Sequence, residues 1–435
     1  LYFCIHIYGL AIMKKYLLAT LLIVGALTSC LTEDVVLKSS PHVKSFRFEH
    51  HTAVPNIETI QFTIDTINCV IFNEDSVGYG YDLSKLKPTI QFTGTPKEIK
   101  MNGNYWSGED SIDFRQPVSM YILSQNKKSE ATYTITVNQH RVNPDEIVWK
   151  NPVLLNSHAT SFKATSTEQA AYVFAYSQQG ETCLYTVYSN TGTQWQQIAN
   201  FESAFSIISL ASLNNQLYAI NQEGNTLLRF NQNQWDAVAT FTEGTITQLI
   251  GSLKNKLWMQ GQHSNTPLLI SYNEHQLQIE EQSTLPTQFA SEGATALQTP
   301  YGLYLIGGEV DGTSQNCILS SDNGYYWTNI LNQTGKYSIT PRYNAICAYY
   351  NHHIFVMGGY NNHQVVTNNY TSSNNGYSWD NMPSYQQLPD AFYFQEGACA
   401  TVFNNNLYVF NKPNSGQNGL EVWEGRIRIV DFIKQ

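Results

Sequence analysis

The chain has 435 residues and a formal net charge of −10, with only 13% charged residues against 13% aromatic ones. A single core stops growing below this length, so two domains are expected, and the many Tyr, Asn, Gln, Ser and Thr suit strands and turns rather than surface helices. The acidic balance excludes sequence-independent nucleic-acid binding, which needs basic patches that displace counterions from phosphates.

The first informative segment is Met13 to Cys30, MKKYLLATLLIVGALTSC. Two lysines, an apolar stretch from Tyr16 to Leu27 and small residues before a cysteine form an export signal. Leu27-Thr28-Ser29-Cys30 resembles the lipobox of bacterial lipoproteins. That resemblance implies cleavage before Cys30, acylation of its thiol and anchoring to a membrane by acyl chains rather than by a spanning helix. Residues 1–12 read as sequence upstream of the start at Met13. Removing residues 1–29 takes away Lys14 and Lys15, leaving 22 basic and 34 acidic residues, a net charge of −12. Glu33-Asp34, close behind Cys30, resembles the surface-export signal of Bacteroidota lipoproteins and places the protein at the outer membrane, on the cell surface. The later cysteines Cys69, Cys183, Cys317, Cys347 and Cys399 lie within apolar strand patterns without metal spacing, and free buried thiols are expected.

From residue 31 to 143 the pattern alternates with period two in short runs, such as Phe46 and Phe48, Ile60, Phe62 and Ile64, and Tyr133, Ile135 and Val137. Turn residues separate them, as at Asn102-Gly103-Asn104. About seven strands in about a hundred residues predict a sandwich of immunoglobulin type, and Asn143-Pro144 reads as the linker that ends it.

Residues 144–435 repeat. A strand after a polar turn recurs at Tyr172-Val173-Phe174, Leu217-Tyr218-Ala219, Leu257-Trp258-Met259, Leu303-Tyr304-Leu305, Ile354-Phe355-Val356 and Leu407-Tyr408-Val409, at spacings of 40 to 53 residues. That is the length of one four-stranded propeller blade, and six units predict a six-bladed β-propeller. Tryptophan gives a second count: Trp195, Trp235, Trp327 and Trp379 each open a late strand, with Leu277 in that place in the third unit. Trp149-Lys150-Asn151 supplies the sixth from the front, which predicts an N-terminal strand that completes the last blade and removes the open edges. A long strand or a hairpin over Leu420–Phe432 remains the alternative at that closure.

Ser320 to Trp327 fits S-x-D-x-G-x-x-W and resembles the Asp-box of sialidase-like propellers; Ser372 to Trp379 repeats it with Asn374 for Asp, and Tyr188 to Trp195 is a weaker copy. The resemblance implies a structural role for Ser320, Asp322, Gly324 and Trp327: the polar side chain closes a turn, Gly takes the left-handed position and Trp packs the hairpin. Gly307-Gly308, Gly358-Gly359 and Pro341-Arg342-Tyr343 resemble kelch repeats. A sialidase needs an arginine triad, yet only Arg229, Arg342, Arg426 and Arg428 follow residue 150. His352-His353 and His363 fall in turns and loops, so no metal site or cofactor is expected.

One constellation suggests a ligand site. Glu292-Gly293-Ala294 and Glu396-Gly397-Ala398 open the first strands of the fourth and sixth units, with Arg342 at the corresponding place in the fifth. Two carboxylates and a guanidinium at a channel mouth fit a sugar or peptide, or else one ion-pair network locking the blades. Taken whole, the stretch Asn73-Glu74-Asp75-Ser76 to Leu83 and the blade pattern resemble a Bacteroidota surface-lipoprotein family of unknown function, all-β, with an Ig-like domain before a kelch-like or Asp-box propeller. The reading is a non-enzymatic binding or scaffold protein of the cell envelope whose propeller takes a glycan or protein; the alternative is a carbohydrate-active enzyme, a glycoside hydrolase or lyase using the mouth carboxylates.

Overall fold

The computed structural model describes residues 40–428 apart from 157, 178–181, 189–193, 202–204, 265, 277, 285–291, 332–337 and 415–417. The leader, Cys30 and Leu277 lie outside the described residues, as do parts of the segments Tyr188–Trp195 and Leu420–Phe432. The described chain is all-β, with two single-turn 3-10 helices, Ile57–Thr59 and Ser384–Gln386. It divides into two compact units between Asn143 and Pro144.

In the N-terminal unit, Phe62–Asp65, Val70–Asn73, Glu130–Thr136, Val118–Ser124, Pro96–Met101 and Asn104–Tyr105 form one sheet in that order. Val70–Asn73 and Glu130–Thr136 run parallel, and the other neighbours are antiparallel. Val43–Phe48 pairs with Pro88–Phe92 in a second, two-stranded sheet. Phe46 and Phe48 from the small sheet share one core with Ile71, Val118, Met120 and Ile135 from the large one. The hairpin at Asn102-Gly103 has both residues left-handed, φ 49° and 83°, the pair of conformations that a two-residue turn needs to match strand twist.

The C-terminal unit is six consecutive sheets. The first runs through Ser161–Ser166, Ala170–Tyr176, Thr182–Tyr188 and Gln196–Phe201; the second spans Ile207 to Thr240 and the third Thr245 to Thr284, each with four strands in chain order. In the fourth, from Thr295 to Asn329, and the fifth, from Ile346 to Asn381, a two-stranded ribbon is inserted after the second strand. The sixth joins Cys399–Phe403, Asn406–Asn411 and Leu420–Ile427. Its last strand is single, and its free edge is covered from the front of the unit: Trp149 pairs with Gly425 and Val153 with Val422. The first strands of successive sheets lie side by side around the unit, and that of the sixth lies against that of the first.

Polar turns punctuate the hairpins because Asn tolerates the left-handed region. Asn214-Asn215, Lys254-Asn255, Asn351-His352 and Asn404-Asn405 all have two successive positive φ values. The double glycines serve a different need. Gly307, at φ 68°, lies so close to the Arg342 backbone that a Cβ would stand 2.2 Å from the Arg342 carbonyl oxygen, and the Gly308 amide donates to that same oxygen at 2.8 Å.

The turn before Trp327 corrects the expected residue roles. Strand alternation buries Ser321 and leaves Asp322 exposed. Ser321 Oγ therefore accepts the Gly324 amide at 2.8 Å, and Asn323 Oδ1 accepts the amides of Tyr325 and Tyr326. Ser320 and Asp322 do not make these bonds, whereas Gly324 and Trp327 stand where expected, with Trp327 Nε1 donating to the Gly324 carbonyl at 2.9 Å. In the second copy the motif residues do act: Ser372 Oγ accepts the Gly376 amide, Asn374 Oδ1 that of Ser378, and Trp379 Nε1 donates to Gly376. Gly324 lies flat on Trp258 of the preceding sheet, where a Cβ would stand 2.1 Å from the indole.

Gly324→Ala is expected to cost about 2–4 kcal/mol, from the left-handed backbone together with overpacking against Trp258. Gly312→Ala is the control, since Gly312 also has positive φ but nothing within 4 Å of a Cβ. Calorimetry should show the first lowering the C-terminal unit's transition clearly more than the second.

Candidate functional site

The six first strands enclose a cavity of about 1010 Å³. Its wall sets hydroxyl and amide side chains among small apolar ones, with Thr165, Ser209, Thr247, Gln248, Gln298 and Thr401 among the polar contributors from five of the strands. Some of these groups are already committed: Gln248 Nε2 donates to Gln260 Oε1 at 2.7 Å, and Ser209 Oγ accepts the Leu249 amide at 2.9 Å.

Three charged side chains line this space, Lys163, Glu292 and Glu396. Both glutamates precede a left-handed glycine, Gly293 at φ 66° and Gly397 at φ 86°, which turns the chain into the first strand of its sheet. The fifth sheet repeats this geometry with Asn344, φ 50°, in the glycine place. The residue corresponding to Glu292 and Glu396 is thus Tyr343, and the backbone agrees: Glu292 bridges Glu309 as Tyr343 bridges Tyr360.

Arg342 therefore sits one position off, and in an extended chain one position reverses the side chain's direction. It does not join the two glutamates at the mouth. It is fully buried, with Nε donating to the Thr340 carbonyl at 3.0 Å, Nη1 to Gly358 at 2.8 Å and Nη2 to Asn368 at 3.0 Å. The guanidinium also lies 5.1 Å from the centre of the Tyr370 ring. Burial pushes its pKa down to about 10, so it remains a cation at neutral pH. Arg342 is a carbonyl clamp within the fifth sheet, and the expected carboxylate–guanidinium constellation is replaced by one in which Lys163 is the cation.

Lys163 was not singled out from the sequence, although a signal was present. It is the one Lys or Arg on the six first strands, whose remaining residues are apolar or neutral polar. It lies beside Cys399 across the join between the first and sixth sheets. Among the described residues, the ion pairs include none of Lys163, Glu292 and Glu396.

Cys347 and Cys399 also line the cavity, and neither is in a disulfide, nor are Cys69, Cys183 and Cys317. Burial pushes the pKa values of Cys347 and Cys399 up to about 12, against the smaller opposing effects of Arg342 and Lys163 respectively. Both are protonated at neutral pH and are poor nucleophiles. Among the described residues no group of three or more His, Cys, Asp or Glu is placed to hold a metal ion.

The model described as the DUF6242 beta propeller domain matches residues 143–435, and that of the domain of unknown function (DUF6242) N-terminal domain matches residues 35–137. No curated protein matches the chain.

Arg342→Met, which keeps the volume but removes the donors, is expected to destabilise the C-terminal unit by about 3–5 kcal/mol, because buried carbonyls lose charged partners. Arg342→Lys should recover only part of this, since one ammonium lacks the planar fork that reaches three carbonyls. Urea melts followed by tryptophan fluorescence measure both.

Proposed function

The chain belongs to the DUF6242 family, and we propose that it is a non-enzymatic binding protein whose six-bladed propeller takes a glycan at the channel mouth. Support for six blades comes from the closed succession of first strands and from the last sheet's completion by Trp149 and its neighbours. The N-terminal unit acts as a spacer in an Ig-like sandwich, a reading supported by two sheets over one core. The leader, with Leu27 to Cys30 and Glu33-Asp34, supports lipid anchoring through Cys30 at the outer membrane and display on the cell surface.

The observation that carries the binding reading is the cavity wall. Hydroxyl and amide side chains set among small apolar ones, with a few charged groups, match a sugar, whose hydroxyls both donate and accept and whose ring faces are apolar. Glu292 and Glu396 on one rim also favour a second reading, a glycoside hydrolase or lyase, in which they would work as an acid and base pair.

One experiment separates the two: a glycan array followed by a turnover screen on the ligands it finds. Binding without product is expected, with affinity reduced about tenfold or more in Glu292→Gln and Glu396→Gln as charged hydrogen bonds are lost. Product formed by the wild type and abolished in those variants would establish the enzyme instead. An array with no bound glycan would overturn the proposal.

A further inference from the structure

Strand register places one residue of each first strand at a common level of the cavity. Lys163 pairs with Phe174, Leu210 with Ala219, Leu249 with Met259, Ala296 with Leu305, Cys347 with Val356 and Ala400 with Val409. Each partner is the third residue of the aromatic-rich triplet that recurs on the second strands, so the six first-strand residues are equivalent. All six line the cavity. Together they form a collar of five apolar side chains and one cation.

An ammonium group set among apolar side chains gives up part of its hydration, and an anion brought to it restores the lost stabilisation. Among the described residues no ion pair engages Lys163. The two carboxylates of the wall stand elsewhere. Glu292 and Glu396 each precede their collar residue, Ala296 or Ala400, by four positions and lie before a left-handed glycine, so they belong to the rim and Lys163 to the interior. On the fourth, fifth and sixth sheets the collar residues are small, which leaves space at the level of Lys163 for a ligand group. Thr165, two positions after Lys163, shares its strand face and adds a hydroxyl to the same wall.

We propose that Lys163 anchors the carboxylate of a uronic acid residue, so that the glycan taken by the cavity is one that ends in an acidic sugar. The proposal rests on the glycan reading above and deepens it. A uronic acid carries its carboxylate on the same ring as its hydroxyls, so one sugar inserted into the collar meets the ammonium group and the neighbouring polar side chains together. Neutral sugars behind it lie at the rim. A chain acidic at every residue would set carboxylates against Glu292 and Glu396, and a single terminal uronate avoids that repulsion.

The test is a glycan array of matched pairs, oligosaccharides ending in glucuronate or galacturonate against the same chains with that carboxyl reduced to the alcohol, followed by calorimetric titration of the pairs that bind. The acidic member is expected to bind about tenfold more tightly, with the ratio shrinking as salt is raised. Lys163→Met should bring the ratio close to one without lowering the melting temperature, since an apolar side chain suits the collar. Lys163→Arg, which restores the charge, should recover most of the preference. Equal affinity within the pairs, or an acid preference that survives Lys163→Met, overturns the anchor while leaving glycan binding standing, and so does a preference that Lys163→Arg fails to restore. Failure of every glycan overturns both.

Discussion

The C-terminal unit depends on one pairing that recurs at five joins between its sheets, an aromatic ring on the second strand of one and a tryptophan at the outer strand of the next; between the second and third sheets Tyr218 meets Tyr272 instead. Tyr408 meets Trp195 at 5.3 Å and Phe174 meets Trp235 at 6.5 Å, both edge-on. Trp258 shares a cluster with Trp327, Tyr304 with Trp379, and Phe355 with Trp149. Large rings bury about 150–250 Å² each, more apolar surface than any other side chains supply. A single four-stranded sheet has two faces to cover, and this contact lets each cover its neighbour. The seam between the sixth and first sheets uses the same ring–tryptophan pairing as the seam between the first and second, so the ring of sheets is joined there as it is elsewhere.

From that closure follows the site. Each first strand contributes only a few short polar side chains to the cavity, and no single stretch of chain could bind anything with them. Brought together, they make a wall whose hydrogen-bonding capacity is spread over sheets separated by tens to hundreds of residues. The rim is shaped by left-handed turns at Gly293, Asn344 and Gly397, which aim Glu292, Tyr343 and Glu396 from equivalent places. The double glycines belong to the same arrangement, because Gly307 admits the backbone of Arg342 at a distance that any side chain would forbid.

Some of this was legible in the residues and some was not. The recurring aromatic strands and the tryptophan count located the repeats, and Trp149 pointed to an edge strand supplied from the front of the unit, because burial imposes a pattern that each repeat must obey locally. Two misreadings were each a matter of a single position. Ser320 and Asp322 fit the turn motif by spacing, but the strand buries Ser321 and the shorter turn recruits Asn323. Arg342 looked like the partner of Glu292 and Glu396, but its neighbour Tyr343 holds the equivalent place. In an extended chain a shift of one residue moves a side chain to the opposite face, and spacing alone does not fix that register.

Read by itself, the sequence determined the all-β class, the two-part organisation of its patterns, the repeat and the residues that punctuate it, since these depend on local propensity, turn chemistry and periodic burial. Only the tertiary structure decided which charges share a cavity. Lys163, Glu292 and Glu396 come from different sheets, and Arg342 is withdrawn into a cage of carbonyls. The physical reason is that the direction of a side chain depends on strand register and sheet closure, which arise from contacts between segments far apart in the chain.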